Sequence, residues 1–285
     1  MTISAPGRTR LPAFLRTPQG AIGLVLLAFV VAVALIGPLV APFPLDRPLG
    51  PPGLGPVAGA PFGLDELGRD VFSRFLHGGH PVLSLAVVSI AATYLLGIQL
   101  GMIAGLNHGS RTDAGIMRVV DVFIAFPALL LLLVLISGSG TSPTVMAVGL
   151  VLVLFPGVVR IVRAATQDVA TSGFVDAAVV RGERQLSIMY REIFPNIVQT
   201  VLADVGIRFS SAIVLAASLN FLGLGARPPA ANWGLMVAEN RTILPTNLWA
   251  AVLPAAMLAV LTVAVNLLAD AYTRTLGRTS GVESR

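Results

Sequence analysis

No cysteine and no lysine occur in the 285 residues, and only three histidines do. Each absence removes a class of function. Without cysteine nothing rests on a disulfide, and the redox compartment leaves no trace in the sequence. No cysteine and few histidines also leave little from which to build a zinc, iron–sulfur or haem centre. Without lysine there is no Walker A lysine to hold nucleotide phosphates, so the chain alone is expected not to hydrolyse ATP. Charge is scarce too. Charged residues make up 12% of the chain, about half the share of an average globular protein.

Hydrophobic residues, in contrast, reach 55%, and they fall in uncharged runs over 21–45, 82–107, 122–159 and 248–269. A bilayer core of about 30 Å needs about 20 helical residues. The first, second and fourth runs therefore predict one span each and the third predicts two, divided where Ser137-Gly-Ser-Gly-Thr-Ser-Pro143 favours a turn. A further span is predicted over 197–224, where Asp204 and Arg208 sit one helical turn apart and can pair. The expected fold class is an all-α integral membrane protein with six transmembrane helices.

All nineteen basic residues are arginine, and the net charge is +5. With the amino terminus inside, Arg8, Arg10, Arg16, Arg111, Arg118, Arg160, Arg163, Arg181, Arg184, Arg191, Arg274, Arg278 and Arg285 fall on the cytoplasmic side. Arg47, Arg69, Arg74, Arg227 and Arg241 fall outside. This excess follows the positive-inside rule and places both termini in the cytoplasm, so the basic balance reflects topology and not nucleic-acid binding. The first apolar run exceeds the 7–15 residues of a signal-peptide core, which predicts a retained span.

The chain divides into residues 1–80, holding the N-terminal tail, the first span and a long external segment, and residues 81–285, a five-helix core with a cytoplasmic loop at 165–200. Prolines and glycines from Pro42 to Pro56 disfavour regular structure. Leu67, Val71 and Phe75 among charges predict a short amphipathic helix lying on the membrane surface. His77 and His80 are too few for a metal site, and Asp121 beside Arg118 reads as interfacial. Trp233 and Trp249 suit the external interface. No histidine is expected inside a span and no nucleophile–base set is visible, so no catalytic residue is assigned. The clear spans lack the carboxylates and internal repeat of a secondary transporter.

Four stretches carry a resemblance that covers nearly the whole chain. They are Gly63-Leu64-Asp65-Glu66-Leu67-Gly68-Arg69-Asp70; the loop from Asp176-Ala177-Ala178 through Gly182 to Phe194-Pro195; Ser218-Leu219-Asn220-Phe221-Leu222-Gly223-Leu224-Gly225 with Pro228-Pro229 and Asn232-Trp233-Gly234; and Asn266-Leu267-Leu268-Ala269-Asp270. Together these resemble the C-type permease subunit of the dipeptide, oligopeptide and nickel family of ABC importers. The loop departs from the family pattern at Asp176, Glu192 and Phe194, where Glu, Ile and Leu are usual. Leu64 replaces the usual Thr, and Ala216 stands where a Glu is frequent.

The resemblance implies the type I importer permease fold, a bacterial inner-membrane location and a role as half of an ATP-driven translocation path. Dipeptides or oligopeptides are the implied solutes, with nickel, glutathione or haem as alternatives. The implied partners are a B-type permease, two cytoplasmic ATPases that bind ATP and Mg, an external solute-binding protein and membrane lipid; no cofactor belongs to this chain. Asp176, Ala177, Ala178, Gly182 and Pro195 are implied to couple to the ATPase. The alanines would allow close docking, Gly182 a turn or close backbone approach, and Pro195 would stop the second helical piece. Asp65, Gly68, Arg69 and Asp70 form an external motif.

Overall fold

The computed structural model describes residues 13–280, so Arg8, Arg10 and Arg285 of the arginine asymmetry lie outside the described residues. After a 3-10 turn at Ala13–Arg16 come α1 (Pro18–Val40), α2 (Val71–Leu106), α3 (Arg111–Ala125), α4 (Ala128–Ser139) and α5 (Pro143–Ala170). Then follow α6 (Gly173–Val180), α7 (Gln185–Ile188), α8 (Phe194–Phe221), α9 (Trp233–Glu239) and α10 (Trp249–Ser280). Five helical segments are long and apolar enough to cross a membrane, and the bent pair α3–α4 makes a sixth. The only β-type pairings among the described residues are isolated bridges between positions 48 and 70.

Local chemistry sets most boundaries. Ser142 caps α5 by accepting from the Val145 N–H, Pro143 supplies a first residue that needs no N–H, and Gly140 turns the chain at φ 87°. The predicted break at 137–143 is thus observed. The preceding span is not straight: α3 and α4 meet at 88°, because Pro127 has no N–H and pushes Phe126 into an extended conformation.

α2 starts earlier than the apolar run does. Asp70 caps it, accepting from the Ser73 N–H at 2.8 Å and the Ser73 hydroxyl at 2.6 Å. The separate surface helix expected around Leu67–Phe75 is therefore replaced by a loop, with Leu67 exposed, followed by the first turns of α2, where Val71 and Phe75 are buried. The division expected at residue 80 falls inside this helix, and so do His77 and His80.

Close packing of α2 on α5 forms the centre of the bundle. Gly97, Gly101 and Gly105 on α2 face Val158, Val162 and Thr166 on α5. A Cβ on any of the three glycines would stand 2.6 Å from the facing side chain. Two helices without an aqueous hydrophobic driving force associate best where small residues let their backbones approach. α1 packs on α2 and α10, again through glycines: Gly37 meets the Leu76 backbone and Gly23 meets Ala264 and Leu268.

The ionisable groups on α8 inside the bundle are paired. The Tyr94 hydroxyl donates to Asp204 Oδ2 at 2.7 Å, and Arg208 Nε donates to the same oxygen at 3.2 Å. The predicted Asp204–Arg208 pair is present, with a partner from α2 that spacing within α8 could not show. The Arg208 guanidinium covers Gly157 of α5. Asp121 pairs with Arg160 at 2.6 Å, not with Arg118. Trp233 is fully buried rather than at the interface: its indole N–H donates to the Phe75 carbonyl at 2.8 Å, and its ring fills the space left by Gly78 and Gly79. Trp249, at the start of α10, is 45% exposed.

Candidate functional site

The motif residues of the 165–200 loop fold into a compact protrusion beyond the end of α5. α6 turns Val175 and Ala178 inward against Ile188, Met189 and Ile193. Its other face carries Phe174, Val179 and Val180, the last 88% exposed. Asp176 lies in the first turn of α6 and is exposed, and among the described residues its carboxylate has no hydrogen bond or ion pair. Ala177 is exposed beside it, whereas Ala178 is part of the core. Of the two alanines only Ala177 can meet a partner directly.

Gly182 makes the turn that follows α6. Its φ is +74° and nothing of the chain lies within 4 Å of a Cβ built there, so of the two roles expected for it this chain uses the turn. Arg181 and Glu183 pair at 2.8 Å across the glycine, and the Ser187 hydroxyl donates to Glu183 at 3.1 Å. Arg181 in front and Ser187 behind hold the Glu183 carboxyl below its usual range. Pro195 does not stop the helix. α7 runs through a π-helical turn at Met189–Ile193 into α8, with Pro195 in the first turn of α8. The wider turn before the proline absorbs its missing N–H, a common origin of such irregularities.

At the opposite end of the bundle the segment 41–70 folds back under the loop between α8 and α10. Asp65 is fully buried: Oδ1 accepts from the N–H groups of Leu67 and Arg69, and Oδ2 accepts from Arg69 Nε at 2.7 Å and Arg74 Nη1 at 2.8 Å. Glu239 Oε2 then accepts from Arg74 Nη2 at 2.9 Å and from Arg69 Nη2 at 3.4 Å. Gly68 forms a turn at φ +73° that brings Arg69 back onto Asp65. Asn240 Oδ1 accepts from the Glu66 N–H, and Asn247 Nδ2 donates to the carbonyls of Phe62 and Leu64. The 63–70 motif is thus a clamp between the segment before α2 and the region from α9 to α10, and Asp70 serves it as the helix cap.

Sequence reading missed Arg74, Glu239, Asn240 and Asn247, whose only local signal is their closeness to quoted motifs. Burial pushes the Glu239 carboxyl up to about 7, against the pull of Arg69 and with help from Asp65 and Glu66. His77 Nδ1 lies 2.8 Å from the Ser73 carbonyl, and no group of three metal-ligating side chains occurs among the described residues.

Residues 97–278 match the family described as binding-protein-dependent transport system inner membrane component. Over 262 residues the chain is 35% identical to the di/tripeptide transport system permease protein DppC of Pseudomonas aeruginosa, covering 88% of this chain and 86% of that one. It is 36% identical over 218 residues to the glutathione transport system permease protein GsiD of Pectobacterium atrosepticum, with 76% and 71% covered. Among solved structures it resembles the inward-facing MetNI methionine ABC transporter at a TM-score of 0.60, 16% identity, and coverage of 71% and 95%. The helical bundle is thus an ABC importer permease fold, and the chain belongs to the inner-membrane components of binding-protein-dependent transport systems: it is a multi-pass transport subunit, not a catalytic enzyme.

Proposed function

We propose that this chain forms half of the translocation path of an ATP-driven importer of dipeptides or oligopeptides in a bacterial inner membrane. The observation that carries the coupling role is the α6–Gly182 protrusion. It presents Phe174, Val179, Val180 and an unpaired Asp176 outward, while its inner face is rooted in the same core as α2, α5 and α8. A rigid knob anchored in the span packing can transmit a push from a partner to the bundle.

The partner is a cytoplasmic ATPase, present twice, which binds ATP and Mg; a B-type permease completes the path and an external binding protein delivers the solute. Both termini and the knob then face the cytoplasm, and the clamped 41–70 segment faces outward. The dipeptide and oligopeptide assignment is supported by relatives named for di/tripeptide and peptide transport. The relative named for glutathione makes that tripeptide the second reading.

Reconstitution tests the whole proposal. Proteoliposomes holding this chain, a B-type permease, the ATPases and the binding protein should accumulate labelled dipeptide only with ATP. The chain alone should neither bind ATP nor accumulate solute under an ion gradient. Gradient-driven uptake by the chain alone would refute the reading.

A further inference from the structure

An open groove of about 610 Å³ lies at the clamp end of the bundle, between the start of α2, the start of α5 and the connection from α8 to α9. Its polar lining includes His80, Ser84, Thr144, Asn220, Arg227 and Asn232, and no carboxylate lines it. Arg227 is exposed and has no hydrogen bond or ion pair among the described residues, so its charge is uncommitted. Asn220 is tied within the chain at both ends of its amide, donating to the Ala216 carbonyl and accepting from the Ala226 N–H.

Asn232 is the informative residue. It is 4% exposed, and its Oδ1 accepts from the N–H groups of Gly234 and Leu235. Those two donors fix which end of the amide is oxygen. The Nδ2 group then has two protons and no acceptor among the described residues, on the wall of the groove. Although the residue is almost wholly enclosed, this donor opens onto the groove, where a ligand can meet it. The start of α5 adds a second donor: Ser142 takes the Val145 N–H, Pro143 has none, and the Thr144 N–H has no partner inside its helix. The positive end of this long helix favours an anion there.

We propose that this groove is a way-station for the carboxylate of the transported solute, with Arg227 supplying charge and Asn232 Nδ2 and the Thr144 N–H supplying directed hydrogen bonds. A terminal carboxylate offers two oxygens that match one guanidinium and two N–H donors. The inference rests on the peptide-importer reading. It adds to that reading a site in the permease itself that separates solutes with a free carboxyl terminus from those without one.

Because the chain has no cysteine, Ser84→Cys gives its one thiol in the groove and Ala58→Cys a reference on the exposed 41–70 segment, each read on this chain after it is separated from its partner subunits. Right-side-out vesicles containing the full transporter would be treated with two methanethiosulfonates, one sulfonate-bearing and one trimethylammonium-bearing. The ratio of anionic to cationic rates at position 84 should exceed that at position 58 by about tenfold, the order expected of one nearby cation acting on opposite charges. Arg227→Gln should remove that excess and Arg227→Lys should restore most of it. Dialanine should slow the anionic reaction at position 84, and its carboxyl-terminal amide should not.

Equal ratios at the two positions, an excess that survives Arg227→Gln, or equal protection by the amide would each overturn the site, even in vesicles that take up dipeptide. If the excess holds and acetate protects, yet no dipeptide is taken up, the carboxylate site stands and the peptide reading falls.

Discussion

Arg74 Nη2 stands 2.9 Å from Glu239 Oε2, a contact between residues 165 positions apart. It joins the first turn of α2 to the end of α9, and because Arg74 also holds Asp65, it fastens the segment between α1 and α2 to α9. The clamp is titratable, because burial pushes Glu239 from 4.5 up to about 7. Between those values the folded protein holds a proton that the unfolded chain has released. The stability that Glu239 contributes is therefore full below about 4.5 and is lost as the pH rises through about 7. Thermal unfolding of the purified chain in detergent should show Tm falling by a few degrees between about pH 5 and pH 8. Glu239→Gln should flatten that slope relative to wild type, and an unchanged slope would remove Glu239 as its source.

How much of this was legible beforehand depends on whether a signal is local. The turn at Gly140 and the N-cap at Ser142 were legible because glycine, serine and proline announce a break in the sequence itself. The α6–Gly182 protrusion was legible as a contiguous motif. The bend at Pro127 carried a local signal too, but one apolar run hid it. Trp233 misled, since the interface preference of indole gave way to a slot made by Gly78 and Gly79, and that slot exists only once α2 and α9 are packed. The clamp partners Glu239, Asn240 and Asn247 were illegible for the same reason: nothing in the 41–70 segment specifies where its acceptors and donors come from.

The α2–α5 seam gives a packing prediction. Gly101→Leu should separate the helices, since even a Cβ would stand 2.6 Å from Val162. Overpacking of this kind costs about 1–3 kcal/mol. Gly115→Leu on α3, where nothing of the chain lies within 4 Å, is the control and should behave as wild type. Adding Val162→Ala to Gly101→Leu should recover part of the loss, and additive effects of the two changes would argue against a shared contact. The measurement is the fraction of folded protein surviving a detergent heat challenge.

Asp204 holds together groups from two helices inside the bundle, with the hydroxyl of Tyr94 and the guanidinium of Arg208 on one oxygen. Tyr94→Phe should cost about 1 kcal/mol, the loss of one hydrogen bond. Asp204→Ala should cost more, about 3 kcal/mol, because it leaves Arg208 unpaired against Gly157. Arg208→Leu added to Asp204→Ala should restore much of the stability, since no lone charge remains. If the double variant is no more stable than Asp204→Ala in the same heat challenge, the charge pair is not the source of the loss.

The protrusion can be tested without disturbing the fold. Asp176 has no partner among the described residues, so Asp176→Arg should leave membrane insertion and Tm unchanged while reversing the charge shown to an ATPase. Gly182→Trp differs: a non-glycine residue at φ +74° costs about 1–2 kcal/mol, but the site has open space around it, so the strain should stay within the turn. Both variants should lose ATP-dependent uptake by at least tenfold and reduce ATPase co-purification, because a few central residues carry most of the energy of such an interface. Binding-protein association, read at the clamp end, should stay normal. Ala177→Trp should behave like Gly182→Trp, whereas Ala178→Trp should misfold, since Ala177 is exposed and Ala178 is fully buried. Normal uptake and ATPase co-purification in Asp176→Arg and Gly182→Trp at matched membrane levels would reduce the protrusion to a connecting loop. Loss of binding-protein association in the same variants would show that the two ends of the bundle are coupled through the fold, not that the knob meets the ATPase.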